Sequence, residues 1–151
     1  MGILLSDIFD PRSIKLGLKS GGRDEAFAEL VAAITALNPG FDRAELLAAI
    51  TAREGRMSTG IAPGVAVPHA FYKGASGIVG AIGVSGAGID YDALDGKPVH
   101  AVFMLIVGEK AKGGHLHALN QICALANSEG IALIRNAKSP EDVLAVLSRF
   151  H

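Results

Sequence analysis

The chain has no tryptophan, only two tyrosines and six phenylalanines, and a single cysteine among 151 residues. One cysteine, Cys123, excludes an internal disulfide and fits a reducing compartment. The chain also lacks an excess of either charge, since 14 Lys and Arg face 15 Asp and Glu for a net charge of −1. No Lys/Arg cluster stands out, so nucleic-acid binding or attachment to an anionic membrane is not expected as a main activity. Half the residues are apolar (50%). Even so, no apolar run reaches the roughly 20 residues that a membrane-spanning helix needs. No basic segment followed by an apolar stretch opens the chain, so no signal peptide is expected and the expected location is cytoplasmic. No linker, internal repeat or low-complexity tail interrupts it, and the expectation is one domain over residues 1–151.

Glycine is what the chain has in quantity: 19 residues, concentrated between Gly55 and Gly114. With so few aromatics, the middle of the chain must be built from close-packed small residues and tight turns. Around it, two periodicities alternate. Ile14, Leu16 and Leu18 suggest a short strand. Phe27, Leu30, Val31, Ile34 and Leu37 have helical spacing from Asp24 to Asn38, ahead of Pro39. Asp42 with Glu45 resembles a capping box for a helix that Gly55 would close. Ile61 to Val67 reads as extended, Ile78 to Val84 as a strand, and Asp95-Gly96 as a turn. Val99 to Val107 is nearly all apolar, as in a central strand covered on both faces. A helix is expected from Gly113-Gly114 to about Ala126, and another from Asn127 or Ser128 toward Asn136. Ser139, Pro140 and Asp142 open a last one, with Val143, Val146, Leu147 and Phe150 inward. The fold class that follows is α/β, with helices on both sides of a single sheet.

The run from Ser58 to Ala70 is where chemistry concentrates. Pro68 fixes its own φ, has no N–H, and biases Val67 toward extended backbone. The run thus predicts an extended segment that stops at Pro68 with an imidazole, His69, at the stop. Gly60 and Gly64 allow a ligand or a second backbone to approach. Ser58 and Thr59 offer hydroxyls to an anion, or equally to a turn. Upstream, Leu46, Ile50 and Arg53 share one helical stripe, so Arg53 either snorkels outward or turns its guanidinium to an anion. His115 and His117 lie about 200° apart on a helix. His115 falls on the stripe of Leu119, Ile122 and Ala126, whereas His117 falls with Asn120 and Gln121 on a solvated face.

Arg53-Glu54, Ser58-Thr59-Gly60-Ile61 and Ala66-Val67-Pro68-His69 stand in order and at matching spacing for a known signature. The chain resembles the fructose/mannitol-type enzyme IIA domains of the bacterial phosphoenolpyruvate-dependent phosphotransferase system, including its nitrogen-regulatory branch. Pro63 and Ala70 depart from the usual pattern without removing a reactive group. The resemblance covers nearly the whole chain and implies a three-layer sandwich with one mixed sheet. It implies His69 as phosphoacceptor and Arg53 as the motif arginine that stabilises the phosphoryl charge. His115, in the pair His115-Leu116, would orient His69 or touch the phosphate. Ser58 and Thr59 are candidate phosphate donors, and Glu54 is expected to be structural. The implied partners are an HPr-type phosphocarrier as donor, and either a IIB domain or regulated proteins downstream. No IIB or IIC segment is recognised, which leans the expectation toward the nitrogen-regulatory role, with sugar uptake as the alternative.

Other chemistries are weaker. His115-x-His117 diverges on a helix and no Cys or carboxylate cluster joins it, so no metal is expected. Gly83-Val84-Ser85-Gly86-Ala87 lacks the last glycine of a nucleophile elbow. Gly86-x-Gly88 lacks the rest of a dinucleotide loop. No cofactor is expected. His100 matches no active-site feature.

Overall fold

A computed structural model describes residues 4–19, 21–56, 58–60 and 63–149. Its centre is β5, Val99–Val107, whose length matches the apolar run. Period-two alternation sends Ala101, Phe103, Leu105 and Val107 to one face of the sheet, and Val102, Met104 and Ile106 to the other. Both faces are covered, so all seven are fully buried.

Around β5 the sheet is mixed. β1 (Phe9–Lys15) pairs in parallel with β4 (Ile78–Ile89), which runs antiparallel to β5. On the far side, β2 (Val65–Ala66) and β3 (His69–Phe71) both pair in parallel with β5. Helices α2 (Arg23–Leu37) and α3 (Arg43–Glu54) cover one face. The other face carries the short α1 (Leu5–Ile8) with α4 (Gly114–Ala126), α5 (Gly130–Arg135) and α6 (Pro140–Leu147). This is the expected three-layer α/β sandwich.

Local signals hold the helices where they were expected. Asp42 caps α3 by accepting from the Glu45 N–H at 2.9 Å, and Ser139 caps α6 by accepting from Asp142 N–H at 3.2 Å. Leu46 and Ile50 are fully buried and pin α3 to the core. Truncating either to alanine would cost about 2–5 kcal/mol. Gly96 has φ +71°, as the Asp95-Gly96 turn requires.

Four expectations need correction. β1 begins at Phe9, not Ile14, because Ser13 Oγ donates to Gly80 O at 2.9 Å and Phe9 packs edge-on to Phe103, 6.1 Å between centroids. Leu16 and Leu18 fall beyond it, although Leu18 N–H still reaches Val84 O at 3.0 Å. β4 continues past Val84 through an irregularity to Ile89. The stretch expected to be extended contains a turn at Pro63-Gly64, with Gly64 at φ +73°, and Ile61 lies outside the described residues, as does Phe150. Finally, the extended segment does not stop at Pro68. Val65 lies opposite Ala101 and His69 opposite Leu105, the same offset on both sides of the proline. This is an edge strand, and Pro68 O accepts from Leu105 N–H at 2.9 Å, so pairing with β5 continues across the proline.

Candidate active site

Three elements converge where β3 begins. The edge strand supplies His69, the last turn of α3 supplies Arg53, and the first turn of α4 supplies His115. A depression of about 350 Å³ is lined by Ala49, Ala52, Arg53, Arg56, His69 and Phe71. A larger open groove of about 590 Å³ runs along α2 past Lys15, Glu29 and Arg43. It is floored by alanines and lined by no histidine, cysteine or serine, so the histidines mark the candidate site.

The hydrogen bonds assign both imidazoles. His69 Nδ1 lies 2.9 Å from Val67 O. A carbonyl only accepts, so Nδ1 carries the proton and the neutral ring leaves its lone pair on Nε2. His115 is the reverse: Gly113 N–H donates to its Nδ1 at 3.1 Å, so its proton sits on Nε2. The rings are 6.0 Å apart between centroids, tilted by 36°. One histidine is therefore set to attack and the other to donate.

Burial pushes His69 below its ordinary pKa, and the charges of Arg53 and His115 add to that. The Val67 hydrogen bond and Glu54 pull the other way without reversing it. Burial likewise lowers His115, which is 8% exposed. Both rings are thereby biased to the neutral form near pH 7, as a nucleophilic imidazole requires.

His115 points inward and His117 outward, as the helical wheel predicts, but Gln121 is buried rather than solvated. Arg53 is half-buried beside His69. Ser58 Oγ accepts from Gly60 N–H at 3.1 Å, the turn-capping alternative for that residue. Thr59 is corrected. It is 5% exposed, and its hydroxyl proton goes to Glu54 Oε2 at 2.7 Å, so that proton is not available to an anion in the depression. Gly60 admits a second backbone rather than a ligand, since a Cβ there would meet Ala93 Cβ at 2.7 Å. His100 donates from Nδ1 to Ser85 O at 2.9 Å, away from the site. Among the described residues no group of His, Cys, Asp or Glu could hold a metal ion.

Three residues at the site escaped sequence reading. Arg56 lines the depression one turn beyond Arg53. Phe71, 49% exposed, packs edge-on to His115 at 5.3 Å and lies under Lys112 Nζ at 4.9 Å. Its place two residues after His69 on one strand face was the available signal. Tyr91, fully buried, bonds Thr59 Oγ1 at 3.0 Å, and no local pattern pointed to it.

The model of the family described as "Phosphoenolpyruvate-dependent sugar phosphotransferase system, EIIA 2" matches residues 7–150. The chain belongs to this EIIA family. Among its relatives, it is 34% identical over 148 residues to the "PTS system fructose-specific EIIABC component" of Bacillus subtilis (strain 168). That match covers 96% of this chain but only 23% of the Bacillus protein. It is 30% identical over 146 residues to a "Nitrogen regulatory protein" of Pseudomonas aeruginosa, covering 96% of this chain and 95% of that protein. Among solved structures, nitrogen regulatory protein IIA-Ntr from Neisseria meningitidis superimposes with a TM-score of 0.87 at 30% identity, over 95% of this chain and 98% of that one. The fold of this EIIA chain is thus the fold of its relatives. Among its described residues no helix is long and apolar enough to cross a membrane.

Proposed function

We propose that this EIIA protein is a phosphocarrier that takes a phosphoryl group on Nε2 of His69. The observation that carries the reading is the bond from His69 Nδ1 to Val67 O, which leaves Nε2 with the free lone pair. In the step, Nε2 attacks the phosphorus of a phosphohistidine on an HPr-type carrier. The new N–P bond forms as the carrier's N–P bond breaks, and that electron pair stays on the carrier's ring nitrogen. Nδ1 keeps its proton. Arg53 meets the equatorial oxygens with its planar fork, and His115 Nε2–H donates a further hydrogen bond. Ser58 Oγ only accepts from Gly60 N–H, which leaves its own proton to donate to the phosphoryl group, and Thr59 acts instead by holding the loop.

The role of the phosphoryl group is regulatory in this reading, within the nitrogen-related branch and in the cytoplasm. Its support is the near-complete mutual coverage with the Pseudomonas protein and the close superposition on IIA-Ntr. About two negative charges added in the depression would change that surface while leaving the fold, so partners would distinguish the two forms by affinity. The 34% identity to the fructose-specific component favours a second reading, in which a IIB domain receives the group for sugar uptake.

The test is phosphorylation with phosphoenolpyruvate, enzyme I and the matching carrier, followed by mapping of the label. We expect an acid-labile, base-stable adduct that vanishes in His69→Ala. Label persisting on another histidine in that variant would overturn the assignment. A pull-down with both forms of the protein then separates the roles: form-dependent partners support regulation, and transfer only to a sugar-specific IIB domain supports uptake.

A further inference from the structure

Three buried polar side chains meet on the α2 and α3 side of the sheet. Glu54 is 3% exposed, Thr59 5% and Tyr91 0%. Glu54 spends both oxygens on Thr59: Oε1 accepts from its N–H and Oε2 from its hydroxyl, each at 2.7 Å. The Thr59 hydroxyl has one proton, and it goes to the carboxylate. Tyr91 must therefore be the donor in its 3.0 Å contact with Thr59 Oγ1. Burial, with the Glu54 charge behind it, drives the Tyr91 pKa far up, so the phenol stays protonated and keeps donating. The Tyr91 ring is fixed in turn against Phe27, edge-on at 5.9 Å between centroids.

This group does not end in the core. Thr59 O accepts from Val67 N–H at 3.2 Å, and Val67 O accepts from His69 Nδ1 at 2.9 Å. Hydrogen bonds thus join Tyr91 to Thr59, Thr59 to Val67 and Val67 to the imidazole, and the covalent backbone of Thr59 and Val67 connects one bond to the next. Gly60 lets the loop sit against Tyr91 and Ala93, and Leu94 N–H bonds Gly60 O at 3.3 Å.

We infer that Tyr91, acting through Thr59 and Val67 together with Glu54, is a positioning residue that fixes the tautomer and orientation of His69. A polar group buried this deeply is costly unless fully satisfied, and here its satisfaction fixes the carbonyl that chooses which nitrogen attacks. Loosening Thr59 loosens Val67, and the ring then samples the tautomer with the proton on Nε2, which cannot attack. The rate consequence rests on His69 being the phosphoryl acceptor. The tautomer consequence does not.

The experiment reads both. Nitrogen NMR of the unphosphorylated full-length chain at pH 8 reports the His69 tautomer, and labelled phosphoryl transfer reports the rate. Tyr91→Phe keeps the ring and removes only the hydroxyl, and Thr59→Val removes the hydroxyl while keeping the shape. Both should raise the Nε2–H share of His69 several-fold and slow acceptance by roughly three- to tenfold, the scale of one lost hydrogen bond. Thr59→Ser, which keeps the hydroxyl, should behave as wild type. An unchanged tautomer in Tyr91→Phe and Thr59→Val overturns the inference, even if the rate falls, because the role would then be purely structural. A wild-type protein that takes no label would sink the phosphocarrier reading alone, while the tautomer shift in the variants would still support the positioning role.

Discussion

Both edges of the sheet carry a proline, and the two prolines do opposite things. At the β1 edge, Pro11 sits within a register shift, where Phe9 faces Gly80 but Ile14 faces Ile82. The residues beside it, Asp10 and Arg12, form a solvent-facing ion pair at 2.8 Å, with 37% and 74% of their side chains exposed. At the other edge, Pro68 sits in unbroken register and is followed by a half-buried imidazole between an arginine and a second histidine. What distinguishes the two edges is their support. Behind Pro68, Thr59 holds Val67 and Val67 holds His69. Beside Pro11 the support is Ser13 Oγ, which donates to Gly80 O at 2.9 Å.

The largest effect should come from removing charge at the Pro68 edge. Arg53→Ala should slow phosphoryl acceptance by about 2–4 kcal/mol in the transition state, on the scale of a deleted oxyanion donor. Arg53→Lys should recover little, because a point charge does not reproduce the planar fork. Arg12→Ala at the other edge should leave the rate unchanged. Equal losses from the two arginines would show that net charge, not local geometry, drives transfer. His115→Ala comes next, at roughly 1.5–3 kcal/mol for a hydrogen bond to a charged group. Stopped-flow transfer kinetics measure all four variants, and wild-type rates in Arg53→Ala and His115→Ala would remove both from the site.

Much of this was legible in the chain. β5 could be read because a strand buried on both faces must be apolar throughout, and α3 because Asp42 and Glu45 advertise its cap. His69, Arg53 and His115 were found from motif spacing and helical stripes, and they do converge. The sheet edges were harder to read. The β1 boundary depends on Ser13 reaching Gly80, 67 residues away, and nothing near Ser13 encodes that. Tyr91 escaped for the same reason: its hydroxyl partner is 32 residues upstream. Thr59 stayed open between an anion and a turn because a hydroxyl in a motif looks alike whether it faces an anion or a buried carboxylate. Only burial separates the two.

Swapping the prolines out one at a time tests the comparison directly. Pro68→Ala and Pro11→Ala should each cost stability modestly, about 0.4–1 kcal/mol, since each adds freedom to the unfolded chain. Pro68→Ala should also slow phosphoryl acceptance a few-fold, because the backbone that aims His69 loses its fixed φ. Pro11→Ala should leave acceptance unchanged. Thermal melts and transfer rates of the two variants, measured side by side, decide it. Matching rate losses would mean that the two prolines are equivalent, contrary to the different support behind them.

The smallest effect separates the two edges by the origin of their titration. Asp10 is held at about 2, below its ordinary 3.8, chiefly by its hydrogen bonds from Arg12. His69 is lowered from its ordinary 6.5 chiefly by burial, with Arg53 and His115 secondary and Glu54 opposing. Arg12→Ala should therefore remove the largest cause of the Asp10 shift and leave the bond from the residue-12 backbone N–H, whereas Arg53→Ala should remove only a secondary cause at His69. The sign for His69 is fixed by its depressed value. Between its folded and unfolded pKa the unfolded chain binds the extra proton, so this residue's contribution to stability falls as pH drops below about 6.5 and levels off below the folded value. Acceptance of phosphate should follow the neutral ring, rising with pH through a midpoint below the ordinary 6.5 to a plateau. An NMR titration of His69 and Asp10 in wild type and both variants measures these midpoints. A wild-type His69 midpoint at or above 6.5, or its full return in Arg53→Ala, would show that a neighbouring charge governs this edge as it governs the other.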